Sequence, residues 1–269
     1  MSSWALALAA FAATGLLSGL VAGLLGVGGG LVIVPALIFT LSLLGPDWAP
    51  PPAALTHVAV GTSLAAIVFT AIASTRAHHR RGGVRWEIWK AATPGLLIGA
   101  MLGAAIADAL PGDVLRRVFA LFEFAVAAQL AFGSEPGPHR RLPGVIGIAS
   151  GAGVIGTVSS LLGIGGGTLS VPAMRWCGVA MHQAVGTAAA MGLPIAVAGA
   201  TGFLLAGSDV DTGGAQLGYV SWPALVVIAS VSLFTAPLGA RLAYRLSARA
   251  LRLVFALFLA LVAIRLGWS

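Results

Sequence analysis

Apolar positions along this chain run in long unbroken blocks, without the single apolar stripe of a surface helix or the alternation of a half-buried strand. Six uninterrupted blocks fall at about 55–75, 86–110, 114–132, 183–206, 220–243 and 250–268. As helices they reach roughly 28–37 Å, enough to cross the hydrocarbon core of a bilayer. A barrel of strands is excluded because no lumen-facing alternation is present. Two further apolar stretches are interrupted by glycine: 4–25 and 31–44 flank "GVGGG", while 144–162 and 168–178 flank "GIGGG".

The two interruptions belong to a duplication, the feature to look for first in any chain. "LLGVGGGLVIVP", ending at Pro35, returns as "LLGIGGGTLSVP", ending at Pro172, so Gly26 corresponds to Gly163, 137 positions on. "HVAVGTS" from His57 answers "HQAVGTA" from His182, 125 positions on, and "LGPDWAPPPA" accounts for the 12 extra residues of the first copy. "AMLGAAIADALPGDVLRRVFALF" from Ala100 matches "APLGARLAYRLSARALRLVFALF" from Ala236, 136 positions on. The halves are 1–133 and 144–269, joined by a polar linker at 134–143.

Loop charge orients them. "RAHHRRGGVR" in the first half is thick with arginine, whereas its counterpart "AGSDVDTGGAQLGY" has no Lys or Arg. One loop later the bias reverses, from the mixed "ADALPGDVLRR" to the basic "RLAYRLSARALR". Lys and Arg concentrate on the cytoplasmic side, so equivalent loops face opposite sides and the halves are inverted. Each half then crosses an odd number of times. Three blocks supply three crossings, so the broken stretch returns to its own side as a helical hairpin. Arg140 and Arg141 fall on the cytoplasmic side, and both termini outside. The expected fold is an all-α polytopic membrane bundle of two inverted repeats, each a broken helical hairpin plus three transmembrane helices.

Composition agrees. Hydrophobic residues make up 58% of 269, charged residues 9%, and mean hydropathy is +0.99, where a soluble domain carries about a quarter charged. The net charge of +7 sits in short loops without interleaved aromatics, which reads as topology and argues against nucleic acid. Cys177 is the one cysteine, so no internal disulfide forms. The N-terminus has no basic leader region and reads as mature sequence.

An irregular backbone at membrane depth survives only when buried in protein or lining a cavity. Paired interrupted helices in inverted repeats place a transporter's site where the repeats meet. The helices that begin after each glycine run aim free N–H groups and a positive dipole end into the break. Two such ends facing each other form an anion cradle. Gly28, Gly29, Gly30, Gly165, Gly166 and Gly167 are its candidate backbone, with Thr168 and Ser170 just beyond. Thr62, Ser63 and Thr187 offer hydroxyls, against the plainer reading that such hydroxyls bond back to their own helix. Pro35 and Pro172 loosen the first turn of each second helix.

The doubled motif, in "GLVAGLLGVGGGLVIVPAL" and "TVSSLLGIGGGTLSVPAM", each followed by an "AVGT" block, resembles the sulfite exporter TauE/SafE family, also called the toluene-sulfonate uptake permeases. The resemblance spans essentially the whole chain. It implies a transporter of the bacterial inner membrane handling sulfite, sulfonates or sulfoacetate-like anions, without fixing substrate or direction.

Other residues extend the list. His57 and His182 open matched helices as boundary residues or as a proton-linked gate. Glu123 lies within an apolar run, with Leu259 at its matched position, and a carboxylate there is a candidate coupling group. Arg175 either faces an anion or reaches out to the interface, and Cys177 is a small buried thiol or an adduct-forming one. No phosphate loop, cofactor motif or metal cluster appears. The expected partners are a small anion, the lipid bilayer and a coupling proton or sodium ion. Two alternatives stand beside transport: an intramembrane enzyme using Ser159 or Ser160 with a histidine, and a channel for another small solute.

Overall fold

The computed structural model describes residues 3–26, 28–44, 48–133, 142–210, 216–242 and 248–267. Most of the expected linker, with Arg140 and Arg141, lies outside the described residues. The chain forms α1 (Ser3–Leu25), α2 (Gly30–Leu44), α3 (Leu55–His79), α4 (Trp86–Asp108) and α5 (Gly112–Phe132). It continues as α6 (Val145–Leu161), α7 (Gly167–Trp176), α8 (Met181–Ala206), α9 (Trp222–Leu242) and α10 (Ala248–Gly267). A two-residue hairpin, β1 (Gln216–Leu217) with β2 (Val220–Ser221), precedes α9. Among the described residues, α1, α3, α4, α8 and α9 are long and apolar enough to cross a membrane. The fold is a polytopic helical membrane bundle.

Two helices form its centre. In α3 and α8, 78% and 72% of the apolar window is buried, against 39–44% for α1, α4 and α9. These central helices lie antiparallel. Gly61, near the start of α3, meets Tyr219 and Phe203 beyond and near the end of α8. Gly186, near the start of α8, meets Gly83 and His78 beyond and near the end of α3.

Glycine sets the outer seams. Gly95, Gly99 and Gly103, one per turn of α4, lie on the carbonyls of Ala149, Gly153 and Thr157 in α6, where any side chain would collide. In α1, Gly15, Gly19 and Gly23 lie in the same way on Ile228, Ser232 and Ala236 of α9. Without a hydrophobic drive between helices in lipid, such close backbone approach supplies the packing energy. Each seam joins a helix from residues 1–133 to one from 144–269. Beside them α5 packs on α10.

Candidate functional site

The interrupted stretches break where glycine allows it. Gly26, Gly28, Gly29 and Gly163 take φ of +68°, +81°, +82° and +68°, a left-handed region that costs other residues about 1–2 kcal/mol. The turns then close locally. The N–H groups of Val32 and Ile33 both donate to Gly29 O, and Ser170 N–H donates to Gly166 O. Pro35 and Pro172 each occupy the sixth position of their helix. Lacking an N–H, they leave the carbonyls of Leu31 and Thr168 without the donor four residues on.

The two breaks meet. A Cβ on Gly28 would lie 2.7 Å from Gly165 Cα and 3.3 Å from the Ile67 side chain, at the midpoint of α3. A Cβ on Gly30 would strike Gly163 O and come within 2.7 Å of Ile164 Cα. On the α8 side, a Cβ on Gly166 would lie 2.7 Å from Ile195, also near mid-helix. Gly28, Gly29, Gly30, Gly165, Gly166 and Gly167 are all buried. Gly28, beside Ile67, and Gly166, beside Ile195, therefore lie level with the middles of α3 and α8, and the backbones of the two breaks touch at Gly28–Gly165 and Gly30–Gly163. The stretches that bring them together, 17–35, 58–75, 155–174 and 183–206, contain no Asp, Glu, Lys, Arg or His.

The expected hydroxyls divide into two groups. Ser63, fully buried on α3, reaches the second break, its O–H donating to Gly163 O at 2.7 Å. Thr168 carries a buried hydroxyl with no hydrogen-bond partner among the described residues, as do Ser159, Ser160 and Ser170. Thr62 and Thr187 work elsewhere. Thr62 Oγ1 accepts the N–H of Ser221 at 2.8 Å, and Thr187 Oγ1 accepts that of Arg85 at 2.9 Å. They pin each central helix to the loop that caps it from the other half.

The histidines are not equivalent. His57 is buried, its Nε2 hydrogen-bonding the carbonyls of Ala107 (3.0 Å) and Leu110 (3.1 Å), its ring stacked on Tyr219 at 5.0 Å. Tyr219 in turn donates to Asp108 at 3.2 Å. Burial, and then the neighbouring Asp108 carboxylate, hold the Tyr219 phenol above its ordinary pKa, so it remains a donor. A cavity of about 460 Å³ opens beside His57, lined also by Thr56, Pro111, Asp113 and Arg116. His182 is exposed at the opposite end of the bundle. Glu123 is fully buried at the middle of α5, and neither carboxylate oxygen has a hydrogen-bond partner among the described residues. Arg175 donates to Val179 O at 3.1 Å, closing its own helix end. Cys177 is half-buried.

The profile of the sulfite exporter TauE/SafE family matches residues 11–266. This chain belongs to the TauE/SafE family. Its relatives include a probable membrane transporter protein of Haemophilus influenzae, 32% identical over 255 residues, which cover 94% of this chain and 95% of that one. YunE of Bacillus subtilis, also a probable membrane transporter protein, is 33% identical over 182 residues, 60% of this chain and 64% of its own length. A probable membrane transporter protein of Xylella fastidiosa is 29% identical over 265 residues, covering 95% and 93%. No solved structure matches. The TauE/SafE chain described here is thus a multi-pass membrane protein and a membrane transporter, and the bacterial family is consistent with the inner membrane.

Two residues at the first break of this TauE/SafE chain are not evident from sequence. Ser18 touches Gly29, whose Cβ would lie 2.7 Å from Ser18 O. Thr70 sits at the first break, with Oγ1 3.1 Å from Ile67 O and 3.4 Å from Gly28 O. Neither lies beside a glycine motif, so only packing reveals them. Ser159 and Ser160, read from sequence as nucleophiles, stand at the second break. Of the matched histidines, His57 is committed to the carbonyls of Ala107 and Leu110 and His182 is exposed.

Proposed function

We propose that this chain is a secondary transporter carrying a small organosulfur or related organic anion, such as sulfite, a sulfonate or a sulfoacetate-like compound, across the inner membrane. The anion is held between the two glycine breaks. The observation that carries this reading is the contact of Gly28 with Gly165 at mid-depth of the two central helices. Val32, Ile33 and Ser170 spend their amides on Gly29 and Gly166, but those of Gly30, Leu31, Gly167 and Thr168 precede any intrahelical acceptor, and the aligned helix dipoles favour negative charge. Sites of this kind hold anions without a buried cation.

In this reading the repeats 1–133 and 144–269 are inverted, which the antiparallel α3 and α8 and the matched Thr62–Ser221 and Thr187–Arg85 contacts support. The breaks are close-packed, so a guest enters only when they part. Parting them moves the hairpin α1–α2 against α6–α7, and the threonine pins set which end opens. His57 and His182 then serve as gate residues at opposite ends, and Glu123 as the carrier of a coupling proton.

Counterflow in proteoliposomes with labelled sulfite, sulfoacetate and taurine tests the proposal. Exchange of at least one, with thermal stabilisation of the detergent-purified protein by the same anion, is expected. Neither exchange nor stabilisation by any of the panel overturns it.

A further inference from the structure

Prolines stand in the interior of α2 (Pro35), α4 (Pro94), α7 (Pro172), α8 (Pro194) and α9 (Pro237). Each lacks an N–H and leaves the carbonyl four residues back without its helical donor. Those carbonyls belong to Leu31, Lys90, Thr168, Ala190 and Leu233. In a membrane helix such a carbonyl is tolerated where a neighbouring helix supplies a donor. Among the described residues, only Ala190 O receives one from a side chain, the indole Nε1–H of Trp89 on α4 at 2.9 Å.

The duplication provides a built-in control. The positions matched to Pro194 and Trp89, 125 back and 136 on, hold Phe69 and Leu225. Helix α3 contains no proline, and leucine has no donor to offer. The opened carbonyl and the indole that serves it thus occur together in one copy and are both missing from the other.

Contacts on either side of Pro194 differ in kind. Residues 181–190 are tied to the start of α4 and the loop before it, by Trp89 at Ala190 O and by Arg85 N–H at Thr187 Oγ1. Residues 195–206 instead touch the second break. A Cβ on Gly166 would lie 2.7 Å from Ile195 Cδ1, and one on Gly199 would lie 2.6 Å from Ser160 Oγ. Proline therefore marks the join between a tethered arm and an arm that packs on the break.

We infer that α8 bends at Pro194 during transport, and that Trp89 is the positioning residue that holds its tethered arm on α4. This rests on the reading that the breaks form the transport site, and it holds for whatever solute they take. The indole satisfies the open carbonyl without closing the helix across residue 194, so residues 195–206 swing from Gly166 and Ser160 while 181–190 stays in place. Sharp bends in helices arise at such prolines, and a few residues of this kind absorb a hinge motion. Helix α3, with its hydrogen bonds uninterrupted by proline, is the stiff partner, so the two central helices move unequally.

The test uses the full-length protein in a Cys177→Ser background. Pro194→Ala gives Ala190 O a donor from its own helix. It should melt at or above the unaltered protein, yet lose counterflow of labelled sulfite about tenfold. Full counterflow by Pro194→Ala overturns the hinge. Pro94→Ala, at an exposed position of α4, should stay within about twofold. Trp89→Phe should lower the melting temperature, and the same change should have no further effect in the Pro194→Ala background. Equal losses in the two backgrounds overturn the assignment of Trp89 to the carbonyl.

A second arm needs no solute. Spin labels at Leu6→Cys and Leu205→Cys, both exposed, span the end of the bundle where α8 finishes; Trp4 stacks there on Trp48, whose carbonyl takes the Gln216 amide. In lipid nanodiscs Trp89→Phe should shift the ratio of two distance populations about fivefold, and Pro194→Ala should leave one population. A protein that exchanges no sulfite counts against the transported anion, and the labels then decide the hinge. One and the same distance in the unaltered protein and both variants overturns it.

Discussion

Thr62 Oγ1 accepts the backbone N–H of Ser221 at 2.8 Å, fastening the start of α3 to the β-hairpin that follows α8. Thr187 fastens the start of α8 to Arg85 in the same manner at the other end of the bundle. A buried hydrogen bond of this kind contributes about 1 kcal/mol, which moves a two-state population about fivefold. Thr62→Val should therefore raise labelling by an impermeant maleimide at Ala59→Cys about fivefold, in a Cys177→Ser background, and leave Ala184→Cys unchanged. Thr187→Val should do the opposite. Equal effects at both reporters would show that the pins do not control separate ends.

Gly28 and Gly82 form a matched pair of tests. Both have left-handed backbones, with φ of +81° and +67°, so alanine strains each by about 1–2 kcal/mol. They differ in surroundings: a Cβ at Gly82 meets nothing within 4 Å, whereas one at Gly28 runs into Gly165. Gly82→Ala should transport within about twofold of the unaltered protein, and Gly28→Ala should lose more than tenfold while still reaching the membrane. Counterflow normalised to membrane protein distinguishes them.

Glu123 lies fully buried on α5, and its matched residue Leu259 is equally buried on α10. A buried carboxyl with no hydrogen-bond partner among the described residues is a candidate functional group before it is a structural one. Glu123→Gln should retain counterflow and lose accumulation driven by a pH gradient. Glu123→Leu, which copies the partner helix, should melt at or above the unaltered protein, since an unsatisfied polar group is replaced by an apolar one. Full gradient-driven accumulation by Glu123→Gln would remove the carboxyl from coupling.

The twin histidines of the sequence should diverge on mutation. His57→Phe deprives the carbonyls of Ala107 and Leu110 of their donor and should cost about 1–3 kcal/mol. His182→Ala, at an exposed position, should stay within about 0.5 kcal/mol. Melting in detergent reads both.

Much of the bundle is legible in the chain because membrane helices announce themselves by length and apolarity, as α3, α4, α8 and α9 do. Glycine runs mark the breaks for a related reason, since positive φ at Gly28 and Gly29 admits almost no other residue. Which hydroxyl serves which purpose is not legible. Thr62 and Ser63 are neighbours in one motif, yet one holds a loop and the other reaches the opposite break, because successive residues on a helix face different ways. His57 and His182 likewise look equivalent until burial separates them. Ser18 and Thr70 stand beside no motif, and only the fold brings them to the first break.

The glycine seams have a consequence for how the protein is made. Because α1 rests on α9 and α4 on α6, a ribosome that has released only residues 1–133 has delivered two helices whose bare backbone faces have nothing to rest against. Those faces wait in the lipid, or with an insertase, until the later helices emerge. Neither portion expressed by itself should persist.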